Sequence, residues 1–464
     1  MIVNNELYGL GFAKPLSLCI AVSIAAIPAV SYAKEVNTSA SIAASTNQLN
    51  ALIESALSQD SSRAQYASQS LAMTESGAAS ATLMDPKLKV GVGGLPVDSF
   101  KFDDDPMTNI SVGLMQQFER GSTLELNQRK ASQQSSGLSL QVGLREREVA
   151  TQMTQLWLEL GYLQYAESII VENQRLMAEM EQFVKTNYSI GKSEAQDLLN
   201  TQLQVDKLEE KLQLNRQMQS RIISQLSEWL GSNWLGSNRS LSASYTLNWP
   251  TLEAILSSHA GTAQYYDQLS QHPMTQMADS NISVNQIQVE VAEQAYTPQF
   301  GVEVMYAYRQ ANNMRGEPAS DLVSAYLTMD IPLFTGSRQD KNLAAAQHQV
   351  GAAKYQKDTL LAQMNAQVNA LVNDRLNLQE RIERYQDRLL PQATARTQAV
   401  ERGYQNSTAQ FGDVITASSD ELALQLEVAR LTTDLHITNS KLAALLGGFT
   451  YASPESPLTH SKQQ

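Results

Sequence analysis

Apolar residues recur along this chain at two periods. In the first, steps of three and four alternate: Leu361, Met364, Val368, Leu371, Arg375, Leu378, Ile382, Tyr385 and Leu389, then Leu424, Val428, Leu431, Leu435, Thr438, Leu442 and Leu445. The same spacing runs through Val149, Met153, Leu156, Leu160 and Leu163, and through Leu208, Leu212, Asn215, Gln219, Ile222, Leu226 and Trp229. A period of about 3.5 residues held over many turns predicts helices paired as coiled coils. Proline usage agrees, with none between Pro106 and Pro250 and only Pro391 between Pro332 and Pro454. The expected long helices cover residues 121–188, 193–230, 336–404 and 409–446, with a kink near Leu390 imposed by Pro391. A continuous helix from Gly121 to Tyr188 would be roughly 100 Å long at about 1.5 Å per residue.

The second period is two. Leu88, Val90 and Val92 alternate with Lys89, Gly91 and Gly93, and Ile110, Val112 and Leu114 with Ser111 and Gly113. Phe300, Val302, Val304, Tyr306 and Tyr308 oppose Gln299, Gly301, Glu303, Met305 and Ala307, while Val323, Ala325, Leu327, Met329 and Ile331 alternate with Ser324, Thr328 and Asp330. These are strands near 87–95, 108–118, 299–309 and 321–332. Their connections, 95–107 and 310–319, hold the Pro, Asn, Asp and Gly of hairpin turns. One apolar and one small or polar face is the lipid-out, lumen-in pattern of a membrane β-barrel, although a half-buried sheet on a soluble domain shares it. Four strands cannot close a barrel, and open edges are intolerable in lipid. The membrane reading therefore requires a subunit, and three copies supply twelve strands.

The chain also matches itself. Residues 85–92 align with 297–304 at an offset of 212, Phe118 with Phe334, Tyr188 with Tyr404, Asp197 with Asp413, and Leu226, Leu230 and Gly231 with Leu442, Leu446 and Gly447, the last four blocks at 216. Colinear blocks at a nearly constant offset predict a tandem repeat. The expected organisation is a signal peptide over 1–33, a first repeat over 34–250, a second over 251–447 and a tail over 448–464.

Composition narrows the function. The 464 residues carry 34 basic and 47 acidic side chains, a net charge of -13 that argues against nucleic acid as a partner. Aromatics make up only 6 %, too few for several globular cores. Lys14 precedes the apolar run 16–30, and Ser31-Tyr32-Ala33 offers small residues at a cleavage site, the pattern of an export signal. The single cysteine, Cys19, lies inside that segment, so the exported chain would lack any thiol chemistry. The five histidines are dispersed, without an H-E-x-x-H pair, and no nucleophile elbow, phosphate loop or dinucleotide fingerprint occurs. The chain is thus expected to be no enzyme, with no catalytic residue, metal or cofactor. Met153, Met177, Met180 and Met364 fall on helical spacings and read as core packing.

Two strand hairpins and two long helical hairpins in tandem, behind an export signal, resemble the TolC-like outer-membrane efflux proteins over residues 47–447. The sharpest motif is the turn between the long helices, Tyr188-Ser189-Ile190-Gly191 leading to Asp197-Leu198-Leu199-Asn200-Thr201, and Tyr404-Gln405-Asn406-Ser407 leading to Asp413-Val414-Ile415-Thr416-Ala417. Asp85-Pro86-Lys87-Leu88 and Pro106-Met107-Thr108 are similar to the heavy-metal branch of the family.

The resemblance implies an α+β membrane protein: a homotrimer whose twelve-stranded β-barrel sits in outer-membrane lipid and continues as a periplasmic α-barrel tunnel. It also implies a passive exit duct of a tripartite system, working with a periplasmic adaptor and an inner-membrane pump of the RND type, with heavy-metal cations as one cargo. Residues around 232–280, with Trp234, Trp249 and Pro250, and the C-terminal segment would girdle the tunnel. By resemblance, Asp413 and Asp197 belong to the periplasmic gate, with Thr416 where the family carries a second carboxylate. Either aspartate could instead be a helix N-cap. Ile190, Gly191, Lys192, Asn406, Ser407 and Thr408 would form tips that dock the adaptor, or be turn chemistry alone. A periplasmic coiled-coil adaptor or structural protein, and a duct for type I protein secretion, are the alternative readings.

Overall fold

The computed structural model describes residues 29–231, 234, 241–259, 261, 263–406 and 408–452, with side chains from residue 41. Most of the expected signal peptide (1–28), most of the expected tail (453–464) and Ser407 lie outside the described residues. Two helices, α1 (Ala29–Gln59) and α2 (Ser61–Ser80), precede the strands β1 (Lys87–Gly93) and β2 (Asn109–Gln117). The long hairpin α3 (Thr123–Ser189) and α4 (Ala195–Leu230) follows. The second half runs α5 (Pro250–Ser258), α6 (Tyr266–Ser270), α7 (Pro273–Gln294), β3 (Gln299–Tyr308), β4 (Leu322–Asp330), α8 (Gln339–Arg384), a π-helical turn (Tyr385–Leu389), α9 (Leu390–Gln405) and α10 (Phe411–Leu446). Among the described residues, no helix is long and apolar enough to cross a membrane.

The tandem repeat reappears in backbone geometry. Ile190 and Asn406, at the ends of α3 and α9, have φ/ψ of -102/9° and -91/9°. Glu194 and Gln410, before α4 and α10, have -82/155° and -85/153°. Gly231 and Gly447, which end those helices, have 80/159° and 86/157°, a left-handed φ that favours glycine at a helix terminus. Each pair is 216 residues apart.

All four strands form one antiparallel sheet in the order β1-β2-β3-β4. Directly paired residues share a face. The rows Val90–Val112–Tyr306–Val323 and Leu88–Leu114–Val304–Ala325 are therefore continuous, and Val92–Ile110–Tyr308 and Phe300–Met329 extend the same apolar surface. The opposite face carries Gly91–Ser111–Ala307 and an ion pair between Lys89 and Glu303 at 2.6 Å. Among the described residues, nothing covers the apolar face: Val90 is 69 % exposed and Leu327 70 %.

Along the helices the heptad stripes are the least exposed positions, with one broadening. On α4 a single narrow stripe (Leu208, Leu212, Asn215, Leu226) is buried, because α4 packs chiefly on α3. On α10 the expected stripe is only partly right. Leu431, Thr438 and Leu442 are buried, but Leu424, Val428, Leu435 and Leu445 are half-buried, while Leu422, Ala429, Thr433, Ser440 and Ala443 are buried as well. Helix α10 packs on both α3 and α8, so its apolar surface is wider than one seam. Two polar residues in the stripes find partners: Asn215 donates to the Leu163 carbonyl at 3.0 Å, and the Arg375 Nε donates to Asn439 at 3.0 Å. The helix expected over 336–404 is interrupted. Pro391 offers no N–H to the Asp387 carbonyl, and the Leu390 N–H reaches back five residues to the Tyr385 carbonyl instead.

The largest core lies at mid-height on the helices. Trp157, Leu160, Leu226 and Leu442 pack with Leu49, Ile53 and Leu57 of α1, Leu252 of α5, Leu269 of α6 and Trp249, and with Trp234 and Phe449 at its margin. Leu241, Leu247, Trp249, Leu252, Tyr265 and Leu269, from the stretch expected to girdle a tunnel, join this core with Phe449 and Tyr451 and form a belt across the helices. Residues 241–247 cross α3 as a strap. Gln164 on α3 clamps it, donating to the Leu241 carbonyl and accepting from the Ala243 N–H at 2.8 Å, and Tyr165 packs on Tyr245 with ring centroids 4.8 Å apart. Gly161 makes the crossing possible, since a Cβ there would stand 2.2 Å from the Ser244 carbonyl carbon.

Two histidines lie in this belt beside arginines, His272 buried and His436 half-buried. His272 accepts from the Met274 N–H at 3.2 Å and His436 from the Trp249 indole at 3.0 Å, each through Nδ1. Burial, then the charge of Arg147 or Arg375, pushes both down to about 4 from an ordinary 6.5.

Thermal unfolding tests both features of the belt. Gly161→Ala should displace the strap and cost about 1–3 kcal/mol. Gly137→Ala, whose new methyl would meet only Ser280 Cβ at 3.6 Å, should be neutral or stabilising. Because unfolded histidines take up protons before the folded ones, the stabilisation is complete above about pH 6.5 and drains away toward pH 4. Melting temperature should fall across that window, and His436→Gln should flatten the dependence.

Candidate functional site

The residues singled out by the sequence motif lie at the two helical tips. The α3–α4 tip closes with the Gly191 N–H on the Tyr188 carbonyl at 3.0 Å and the Lys192 N–H on the Asn187 carbonyl at 2.8 Å. Gly191 has φ +74°, with open space around its missing Cβ, so it supplies conformation and not room. The α9–α10 tip closes in the same way, with the Thr408 N–H on the Gly403 carbonyl at 2.8 Å, a bond that the Thr408 hydroxyl doubles at 3.0 Å. Ile190, Gly191, Lys192, Asn406 and Thr408 are all exposed or lie at the rim of the tips. Ser407 lies outside the described residues.

Asp197 and Asp413 each occupy the third position of their helices, so neither is the N-cap that was the alternative reading. Glu194 and Gln410 hold that place. Asp413 still serves the helix start: its Oδ2 accepts the Gln410 N–H at 3.2 Å, and the Gln410 side chain accepts in return from the Asp413 backbone, a reciprocal capping box. Its first-turn position also sets a negative charge at the positive end of the helix dipole. Asp413 is exposed, and the Thr416 hydroxyl is turned back onto the Gly412 carbonyl at 2.8 Å. Asp197 is half-buried and faces a polar groove of about 710 Å³ between the tips, with Lys192, Glu194, Asn200 and Gln410.

An aromatic contact at the same level was not anticipated. Tyr404 packs on Phe183 of α3 at 6.1 Å and on Phe411 of α10 at 5.5 Å. Phe411 aligns with Ala195 in the repeat, so the only sequence signal was an aromatic residue gained by one copy. Above the contact, a groove of about 600 Å³ separates α3 (Ile169 to Phe183) from α9 and α10 (Thr394 to Gln425). Among the described residues, no cluster of histidine, cysteine and carboxylate side chains could hold a metal ion. Met153 and Met364 are buried in the belt and Met177 in a smaller cluster with Leu208, Leu212 and Leu422.

Residues 265–448, from α6 to the end of α10, match the family model described as outer membrane efflux protein. The fold of the whole chain agrees with solved structures. It superposes on the outer-membrane protein VceC from Vibrio cholerae with a TM-score of 0.69, at 17 % identity over 87 % of this chain and 96 % of that one. It superposes on CusC with a TM-score of 0.70, also at 17 % identity, over 87 % and 92 %. The open state of the MtrE channel from Neisseria gonorrhoeae gives 0.65 at 11 % identity, over 86 % and 89 %. Among curated proteins, none matches the sequence. The matched segment contains the second strand hairpin, the π turn, Asp413 and the second tip. The first half repeats its order of strand hairpin and helical hairpin.

Asp413→Ala should remove the capping box and fray α10, costing about 0.5–2 kcal/mol. Amide exchange should quicken in the first turn of α10 and stay unchanged in the belt.

Proposed function

We propose that this chain is one subunit of a passive exit duct in the outer membrane, the terminal part of a tripartite efflux system. The observation that carries the reading is the sheet: a continuous apolar face with no cover, and unpaired backbone along the outer edges of β1 and β4. Lipid satisfies the face, and copies of the chain satisfy the edges. Three copies, each pairing its β4 with the β1 of the next, give a twelve-stranded barrel. The helices continue that barrel into the periplasm, with α3 alone reaching roughly 100 Å.

In this assembly the tips are the periplasmic end, where Ile190, Gly191, Lys192, Asn406, Ser407 and Thr408 meet an adaptor and, through it, an inner-membrane pump of the RND type. Threefold symmetry turns Asp413 into a ring of carboxylates around the entrance, which favours cations and resists anions. Asp197, facing the groove between the tips, contributes to holding adjacent hairpins. Thr416, with its hydroxyl bound to its own helix, adds no charge to the ring. The duct performs no chemistry, and its cargo is chosen by the pump, with heavy-metal cations as the proposed class.

The protein should fractionate with outer membranes and migrate as a heat-sensitive trimer, and recovery as a soluble periplasmic monomer would refute the duct. Asp413→Asn keeps an oxygen for the Gln410 N–H while removing the charge, so it separates the two roles of this residue. In a planar bilayer it should lower cation selectivity and relieve block by multivalent cations. Unchanged selectivity and block would remove Asp413 from the gate.

A further inference from the structure

Residues 331–338 carry the chain from β4 to α8, at the end of the sheet nearest the helices. Leu333 is 73 % exposed and Phe334 92 %, and Arg338 and Lys341, both exposed, follow them. Backbone bonds set this turn: the Thr335 carbonyl accepts from the Arg338 N–H at 3.2 Å and from the Asp340 N–H at 3.1 Å. The carboxylates of the segment are engaged elsewhere. Asp330 accepts from Arg120, and Asp340 accepts from the Tyr296 hydroxyl at 2.7 Å. Among the described residues, no hydrogen bond or ion pair engages the side chain of Arg338 or Lys341.

The first copy of the repeat has nothing like it. Phe118 takes the place of Phe334 but is only 37 % exposed, and its N–H is tied to the Phe300 carbonyl at 2.9 Å. Ser122 and Glu125 stand 216 residues before Arg338 and Lys341, so one position is neutral and the other acidic. The projecting aromatic and the basic pair belong to this turn alone and are not demanded by the fold.

Depth sets what the turn meets. Nine residues of β4 span roughly 30 Å at about 3.3 Å each, and a strand tilted by about 40° crosses most of an apolar band about 25 Å tall. Leu333 and Phe334 then fall at the margin of that band on the side of the helices, with Arg338 and Lys341 just beyond it, at the level of lipid headgroups. Apolar residues at such a margin insert among acyl chains, and neighbouring cations attract anionic lipid.

We infer that Leu333, Phe334, Arg338 and Lys341 form a binding site for one anionic glycerophospholipid of the periplasmic leaflet. Its acyl chains lie over Leu333 and Phe334, continuing the apolar face of the sheet, and its phosphodiester meets the guanidinium and ammonium groups. A zwitterionic lipid brings its own cation, which competes with these two. The inference rests on the duct reading, to which it adds one headgroup-selective site per subunit. The other candidate occupant is the next copy of the chain, whose β1 joins β4 at this edge.

The test is native mass spectrometry of the full-length protein in detergent, with phosphatidylglycerol or phosphatidylcholine of the same acyl chains. The trimer should retain up to three phosphatidylglycerol molecules, at least about fivefold more than phosphatidylcholine. Arg338→Gln with Lys341→Gln should abolish the preference and keep the trimer, whereas Arg315→Gln, in the turn at the far end of the β3–β4 hairpin, should leave it unchanged. Phe334→Ser should lower retention of both lipids, and glycerol phosphate, which lacks acyl chains, should not displace them. Equal retention of the two lipids, or phosphatidylglycerol retention unaltered by the double substitution, overturns the site. Loss of the trimer in the double variant with the preference intact assigns this edge to the next copy and overturns it as well. A trimer without headgroup preference leaves the duct reading standing, and a monomer that holds neither lipid refutes both.

Discussion

The constraint on which this structure depends is the backbone hydrogen bonding of its sheet edges. Strand β2 is paired on both sides and so is β3, but β1 and β4 each leave a full row of N–H and C=O groups open. In water such edges would be an aggregation hazard, and in lipid each unpaired group costs several kcal/mol. Under the proposed duct reading, other copies of the chain close those edges and lipid covers Val90 and Leu327. A single chain is then a sector of a wall, and its apolar face an outside that water never meets.

The helical part obeys the same logic in a different form. Helix α4 buries one stripe because it has one main neighbour in the chain, whereas α10 buries two because α3 and α8 flank it. Periodicity in the sequence reports the faces of a helix, but not how many neighbours each face will find. That explains why the strands, their faces and the long helices were legible within a few residues, while the second buried surface of α10 was not. The π turn was legible only as a proline. A kink at Pro391 follows from a missing donor, yet whether the helix kinks or adds a residue to its turn depends on keeping Tyr385 and Leu389 on the seam.

The candidate site was legible in part. The repeat and its tip motif located Asp197 and Asp413, and both fall at the same helical position. Their local chemistry was not visible, because a capping box depends on the rotamers of Gln410 and Asp413 together. Phe183 and Tyr404 lie 221 residues apart and on different hairpins, and no local pattern announces such a meeting. Gly161 was likewise silent in the sequence, as its reason is a backbone that arrives from residue 244.

That strap carries a consequence for how the chain came to be one piece. Joining two copies of a unit end to end creates a linker that neither copy needed. Here part of that surplus is wound over α3, clasped by the Gln164 amide and seated on a glycine that the second copy lacks, for the equivalent position holds Asn377. The join has become a buckle. Two identical half-length chains could build the same strands and helical hairpins, but neither would bring its own belt, and the binding of one half to the other would revert to chance encounter.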